Sequence, residues 1–281
     1  MIKHLVTNGC SWTAGNELEC DPKMDDIIKL LGLVKSSPNN PLDLSLKDSA
    51  GNYATSMDKF YDHFNWAGVL KEKLGAEQLT NLSVGAGSNA RILRTTTDYV
   101  MQLSKDQRAE TLVVVGWTTS ERDEFYIGEG WQRWNATQPF SMTVDRFLMN
   151  DDLLIDKITK IQEDFILYIY NDYASVSKYF QQIYLLSNLL ENLNIKYLFF
   201  NALPAFWEKG THAFNVDVKT EFKEKIDWQN SHNNFLSTTK SMYNFINDRK
   251  YPVAPYLHPL SLGHADWADC LYKELNSRNI V

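Results

Sequence analysis

The chain has 281 residues, 44% hydrophobic, 22% charged and 13% aromatic, a length of one large or two small domains at about 150 residues each and a composition that excludes collagenous, low-complexity and wholly disordered chains. Lys and Arg number 28 against 35 Asp and Glu, a formal charge of −7, the wrong sign for attraction to phosphate backbones or anionic lipid, so neither nucleic acid nor a membrane is an expected partner. Cys10, Cys20 and Cys270 are odd in number and lack C-x-x-C spacing, which excludes a disulfide framework and a structural zinc site as first readings and points to a reducing compartment.

Residues 2–7 form the first apolar segment and run into a turn with no basic region, apolar stretch or cleavage site of a secretory signal, so the expected location is cytoplasmic. Further short apolar segments follow at 78–84, 111–115 and 196–201. Each reads as a strand, and their lack of alternation predicts a sheet covered on both faces. Helical spacing over 66–74, 88–103, 153–169, 176–193, 235–248 and 261–275 supplies the crossovers of a parallel sheet. The predicted fold class is therefore α/β, a three-layer sandwich with a mostly parallel central sheet. Regions 17–62 and 125–150 fit neither period and are expected as insertions in one domain spanning 1–281. No apolar run approaches the roughly 20 residues that cross a bilayer.

In open α/β sheets ligands bind beyond the carboxyl ends of the strands, so the turns there are the places to look for chemistry. The first is Asn8-Gly9-Cys10-Ser11-Trp12-Thr13-Ala14-Gly15, a hydroxyl in a glycine-flanked turn where a helix begins; taken alone, Ser11 reads more simply as a helix N-cap. The second, Asn81-Leu82-Ser83-Val84-Gly85-Ala86-Gly87-Ser88-Asn89, exposes backbone amides and leads into a helix bearing Arg91 and Arg94. The third is Gly116-Trp117-Thr118-Thr119-Ser120-Glu121-Arg122, and a late segment reads His258-Pro259-Leu260-Ser261-Leu262-Gly263-His264. Two His six apart with no ligand in register are a poor metal pair, so no metal and no cofactor are expected.

Taken together, these segments resemble the SGNH hydrolases, the GDSL-like esterase and acyltransferase superfamily. The resemblance covers residues 2–15, 66–94, 111–123 and 256–275. It implies a flavodoxin-like fold, Ser11 as nucleophile and His258 as base. The implied oxyanion hole is made by the amides of Ser11 and of Ala86 or Gly87, with the hydroxyl of Thr118, or of Thr119, in place of the family's side-chain amide. Trp12, Trp117, Asn89 and Arg122 are the expected substrate contacts, with Trp131 and Trp134 near the same face. Three departures matter: Gly9-Cys10-Ser11 replaces G-D-S, Thr118 replaces the block III asparagine, and Pro255 stands where the family's acid precedes the histidine. A third group must then come from elsewhere, a backbone carbonyl or a remote carboxylate; Asp266 and Asp269 are close in sequence. His264 is the rival base and Cys10 the rival nucleophile. The implied function is a serine hydrolase acting on carboxylic esters, a carbohydrate O-acyl esterase or acyltransferase. The alternatives are a non-catalytic scaffold of the same type that binds glycan or protein, and an assembly component. Oligomeric state is not legible.

Overall fold

A strand covered on both faces has no polar side to present to water, and the centre of this fold is built from such strands. The computed structural model describes residues 1–25, 28, 34–35, 46–47, 57–127, 130–135, 160, 163–164, 168, 170–204 and 217–281. Its strands are β1 (His4–Asn8), β2 (Val34–Lys35), β3 (Leu46–Lys47), β4 (Gln78–Asn81), β5 (Thr111–Trp117), β6 (Arg122–Ile127), β7 (Gly130–Asn135) and β8 (Lys196–Asn201). Its helices are α1 (Ser11–Ala14), α2 (Met57–Phe64), α3 (Trp66–Leu74), α4 (Asn89–Gln102), α5 (Lys105–Ala109), α6 (Asp172–Asn192), α7 (Val218–Glu221), α8 (Lys223–Ser231), α9 (Met242–Asp248) and α10 (Ser261–Ser277). Strands β4, β1, β5 and β8 pair in that order, all parallel. β2–β3 and β6–β7 are separate antiparallel pairs.

Every residue of β1 and β5 is buried, and side-chain alternation divides them between two layers. Leu112, Val114, Leu198 and Phe200 join Trp66, Leu70, Met242 and Trp267 from α3, α9 and α10. Val113, Val115, Trp117 and Phe199 join Ile92, Val176, Ile183 and Leu186 from α4 and α6. The result is the expected α/β arrangement, a parallel sheet between helical layers.

Local differences from the sequence reading have identifiable causes. β5 runs to Trp117, two residues further than expected, because it pairs with β8 as far as Asn201. The expected helix over 235–248 is confined to α9. Phe235 instead forms a parallel bridge to Phe199, with Leu236 N–H donating to Phe199 O at 2.8 Å, so its backbone continues the sheet edge while its apolar side chain is buried. α7 and α8 were not anticipated; α8 carries too few apolar residues to show a stripe. The expected helix over 153–169 lies outside the described residues apart from isolated positions. Region 17–62 contains two 3-10 turns, Leu18–Cys20 and Pro22–Met24, and α2, while the second insertion opens as the hairpin β6–β7.

Two contacts tie layers together through polar groups. Arg94 on α4 grips Glu124 on β6 through two bonds of 2.9 Å, Nε to Oε1 and Nη2 to Oε2, and the Glu124 side chain is only 2% exposed. His264 on α10 is fully buried, and its Nδ1 accepts the first amide of α3, Trp66 N–H, at 3.2 Å. That acceptor role requires a neutral ring, and burial, helped by His258 nearby, pushes its pKa down to about 3.

Two stability measurements follow from these contacts. Arg94→Met strands a buried carboxylate and should cost about 3 kcal/mol in urea unfolding, most of it regained in Arg94→Met/Glu124→Leu, where no charge is left unpaired. For His264 the unfolded chain takes up a proton below the ordinary value of 6.5 that the folded chain refuses until about 3. Stability should therefore decline as pH falls through that window, and His264→Asn should show a smaller decline in the same melts.

Candidate active site

The turn from β1 into α1 is fixed from below by Asn8. Its side-chain oxygen accepts Gly9 N–H at 2.8 Å, and its amide nitrogen reaches Ile92 O, Thr95 Oγ1 and Thr96 Oγ1 at 3.2, 2.8 and 2.9 Å. Gly9 has no room for a side chain, since a Cβ would stand 2.2 Å from Thr13 Oγ1 and 2.9 Å from Gly116 O. Cys10, not Ser11, takes the N-cap position; its carbonyl accepts Thr13 N–H and Ala14 N–H at 2.9 Å each. The Cys10 side chain is fully buried in the core with Trp66 and Leu70, facing away from the rim. The far end of α1 is held by Asn65, which donates to Ala14 O at 3.2 Å while its oxygen caps α3 through Gly68 N–H at 3.0 Å.

Ser11 and His258, 247 residues apart, meet at this rim: Ser11 Oγ lies 2.7 Å from His258 Nε2. On the other side of the ring, His258 Nδ1 lies 2.6 Å from Glu17 Oε2. Glu17 accepts Tyr256 N–H on both carboxylate oxygens, at 3.2 and 3.1 Å. A group accepting on both oxygens makes Nδ1 the donor and leaves Nε2 to accept the Ser11 hydroxyl proton. The His258 and Glu17 side chains are 14% and 7% exposed, which strengthens each of these bonds over its value in water. Trp12, expected at substrate, is 5% exposed; its ring lies 6.3 Å from that of His258 and packs on its own account against Tyr243 at 5.4 Å.

Glu17 stands at His258 Nδ1, where the sequence left the neighbour open. It lies two residues after Gly15, left-handed at φ 84°, and is itself left-handed at φ 67°, so the chain leaving α1 curls back toward the rim. Neither Asp266 nor Asp269 has this role: Asp266 accepts the Tyr251 hydroxyl and Asp269 pairs with Lys73. His264, the rival histidine, is fully buried and accepts Trp66 N–H rather than meeting Ser11.

The remaining expected contacts divide. Gly87 N–H donates to Val84 O at 3.2 Å, which turns that amide into the loop; a Cβ on Gly87 would sit 2.8 Å from Gly9 O, so its smallness lets the two turns touch. Ala86, left-handed at φ 55°, and Ser11 have backbone amides with no acceptor among the described residues. The Thr118 hydroxyl is buried without a partner among those residues. Asn89, expected at substrate, is spent on structure: its oxygen accepts Thr118 N–H at 2.9 Å and its nitrogen donates to the carbonyls of Thr118 and Thr119 at 3.0 and 3.1 Å. Trp117, also expected at substrate, is fully buried against Phe199, since strand alternation aims it into the α4–α6 layer. Arg122 is partly buried with Nη1 unpartnered among the described residues. Trp131 and Trp134 lie on β7, whose side chains fall outside the described residues.

Among the described residues no group of three or more His, Cys, Asp or Glu is placed to hold a metal ion, and no helix is long and apolar enough to cross a membrane. Among curated proteins none matches this chain. Two esterases are among the solved structures to which the chain is similar. One is a carbohydrate esterase whose active site displays divergent catalytic and non-catalytic binding functions, 9% identical, with a TM-score of 0.44 over 98% of this chain and 68% of that one. The other is the acetyl xylan esterase AlAXEase, 13% identical, with a TM-score of 0.40 over 96% of this chain and 98% of that one. A family of unknown function, DUF6071, matches residues 47–275, and the chain belongs to it.

Proposed function

We propose that this protein is a serine hydrolase or acyltransferase of the SGNH type acting on carboxylic esters, with Ser11 as nucleophile, His258 as base and Glu17 as the group that orients it. The observation that carries the reading is the continuous chain of hydrogen bonds Ser11–His258–Glu17, 2.7 and 2.6 Å long, at the carboxyl edge of a parallel sheet. A serine hydroxyl is a weak nucleophile until a neighbouring base can take its proton, and an imidazole does so only when its other nitrogen is held in the right tautomer.

In the proposed reaction Ser11 Oγ attacks the ester carbonyl carbon while its proton passes to His258 Nε2. The carbonyl oxygen becomes negative and is received by the amides of Ser11 and Ala86 and the hydroxyl of Thr118. Collapse breaks the ester bond, and the leaving alcohol takes the proton from His258. The acyl group on Ser11 is then transferred to water or to a second alcohol by the same steps in reverse roles. Glu17 balances the imidazolium without taking its proton. Trp12 beside the histidine gives the site an apolar wall against which a small acyl group or a sugar ring would rest. The proposed substrate is thus a small or carbohydrate ester.

Fluorophosphonate labelling tests this directly. The adduct should map to Ser11, persist in Cys10→Ala and vanish in Ser11→Ala and His258→Ala; folded wild-type protein that takes no label would sink the enzyme reading in favour of a binding scaffold. Turnover of an activated acetyl ester should fall about 10⁴-fold in Glu17→Gln, because an amide favours the wrong tautomer. Thr118→Val should lower kcat by about a hundredfold, the cost of one oxyanion donor, with little change in KM.

A further inference from the structure

The loop carrying His258 is held across the rim by a second carboxylate. Asp21 lies on the same short segment as Glu17, between the 3-10 turns Leu18–Cys20 and Pro22–Met24. Its Oδ2 accepts Ser261 N–H at 3.0 Å and also the Ser261 hydroxyl, while its Oδ1 accepts Lys23 N–H at 3.0 Å. Ser261 is the first residue of α10, whose own N-cap, Leu260, has no side chain able to cap it. Asp21 therefore caps a 17-residue helix from 240 residues away. Asp21 is 5% exposed. Burial alone would raise its pKa, but the Ser261 hydroxyl, the amides of Lys23 and Ser261 and the Lys23 charge together hold it below the ordinary carboxylate value.

These contacts bracket the imidazole. Glu17 takes Tyr256 N–H, two residues before His258, and Asp21 takes Ser261 N–H, three residues after it. Between them Leu257 is left-handed at φ 66°, a conformation unfavourable for a leucine that persists only where the surroundings over-determine it. Among the described residues the loop's other backbone hydrogen bonds, Ala254 N–H to His258 O, Leu257 N–H to Ala254 O, Leu260 N–H to Pro252 O and His264 N–H to Leu260 O, stay within 252–264, so apart from the two contacts of the His258 ring itself the loop's backbone is tied to the segment after Ser11 through Glu17 and Asp21.

We infer that Asp21 is a positioning residue for His258: with Glu17 it clamps both flanks of the histidine loop to the segment leaving Ser11, and so sets the Ser11–His258 distance. The inference rests on the hydrolase reading for its kinetic consequence, though not for its geometry. A displacement of about 1 Å between nucleophile and base is enough to lose on the order of 10²-fold in rate. Binding of the ester does not pass through this contact, so the loss belongs to kcat.

Two readouts separate the clamp from a merely structural cap. The low-field proton resonance of His258 Nδ1, identified by its disappearance in Glu17→Gln, reports the position of the ring without any turnover. In Asp21→Ala that resonance should broaden or vanish, kcat should fall 10- to 100-fold and KM should stay within about twofold. Ser261→Thr, which keeps the hydroxyl, should behave as wild type. Ser261→Ala, which removes only the hydroxyl contact, should give a smaller fall in kcat and carries the test should Asp21→Ala not fold. A folded Asp21→Ala, or failing it Ser261→Ala, with an unchanged resonance and unchanged kcat overturns the inference, and so does a loss confined to thermal stability. If the resonance responds as expected while wild-type protein neither turns over esters nor takes the phosphonate label, the clamp stands and the hydrolase reading falls.

Discussion

The hydrogen bond between Glu17 and His258 is the contact on which the rim of this protein depends. It joins a segment near the start of the chain to one near its end, 241 residues apart, and both partners are largely withdrawn from water. In that setting the bond does two things. It holds the imidazole so that one nitrogen faces Ser11, and it gives the curled segment after α1 a reason to stay curled. Without a partner for Nδ1 the ring could present either nitrogen to Ser11, and without a partner for the carboxylate a buried acid would face a heavy desolvation cost.

Backbone strain tells the same story from the other direction. Among the described residues, six other than glycine have positive φ, and they fall into two groups. Asn194, Lys250 and Asn279 each follow the last turn of a helix, where a left-handed residue is an ordinary way to end it. Glu17, Ala86 and Leu257 end no helix; they lie in the three turns that converge on Ser11. Each re-aims a group at the rim: a carboxylate, a backbone amide and, one residue on, an imidazole. Strain of this kind persists only where the surrounding contacts fix the conformation.

The sheet provides the rigid base for this convergence. Four parallel strands end on the same side, so the turns after β1, β4 and β5 are neighbours however far apart they are in sequence. Small residues let the turns touch, with Gly87 against the Gly9 carbonyl and Gly116 against the Thr13 side chain. Polar side chains then lock them: Asn8 to α4, Asn89 to the turn after β5, Asn65 to both α1 and α3.

The four parallel strands and most of the helices that cover them could be read from the sequence, because continuous apolar runs and three-to-four spacing are local signals of burial. So could the pairing of an early serine with a late histidine, since each sits in a distinctive short motif. Asn89 and Trp117 were misread for one reason: a polar or aromatic residue beside a strand end looks the same whether it faces a ligand or the protein interior, and only strand alternation and the partners across the turn decide it. Glu17 was illegible because nothing local marks it; a carboxylate in an irregular segment becomes the partner of His258 only through two left-handed turns and a contact spanning nearly the whole chain. Sequence alone determines which stretches are buried and which residue types are present at the strand ends. Which of those residues face one another was decided by the tertiary fold, because hydrogen bonds between distant segments depend on distances that no local pattern encodes.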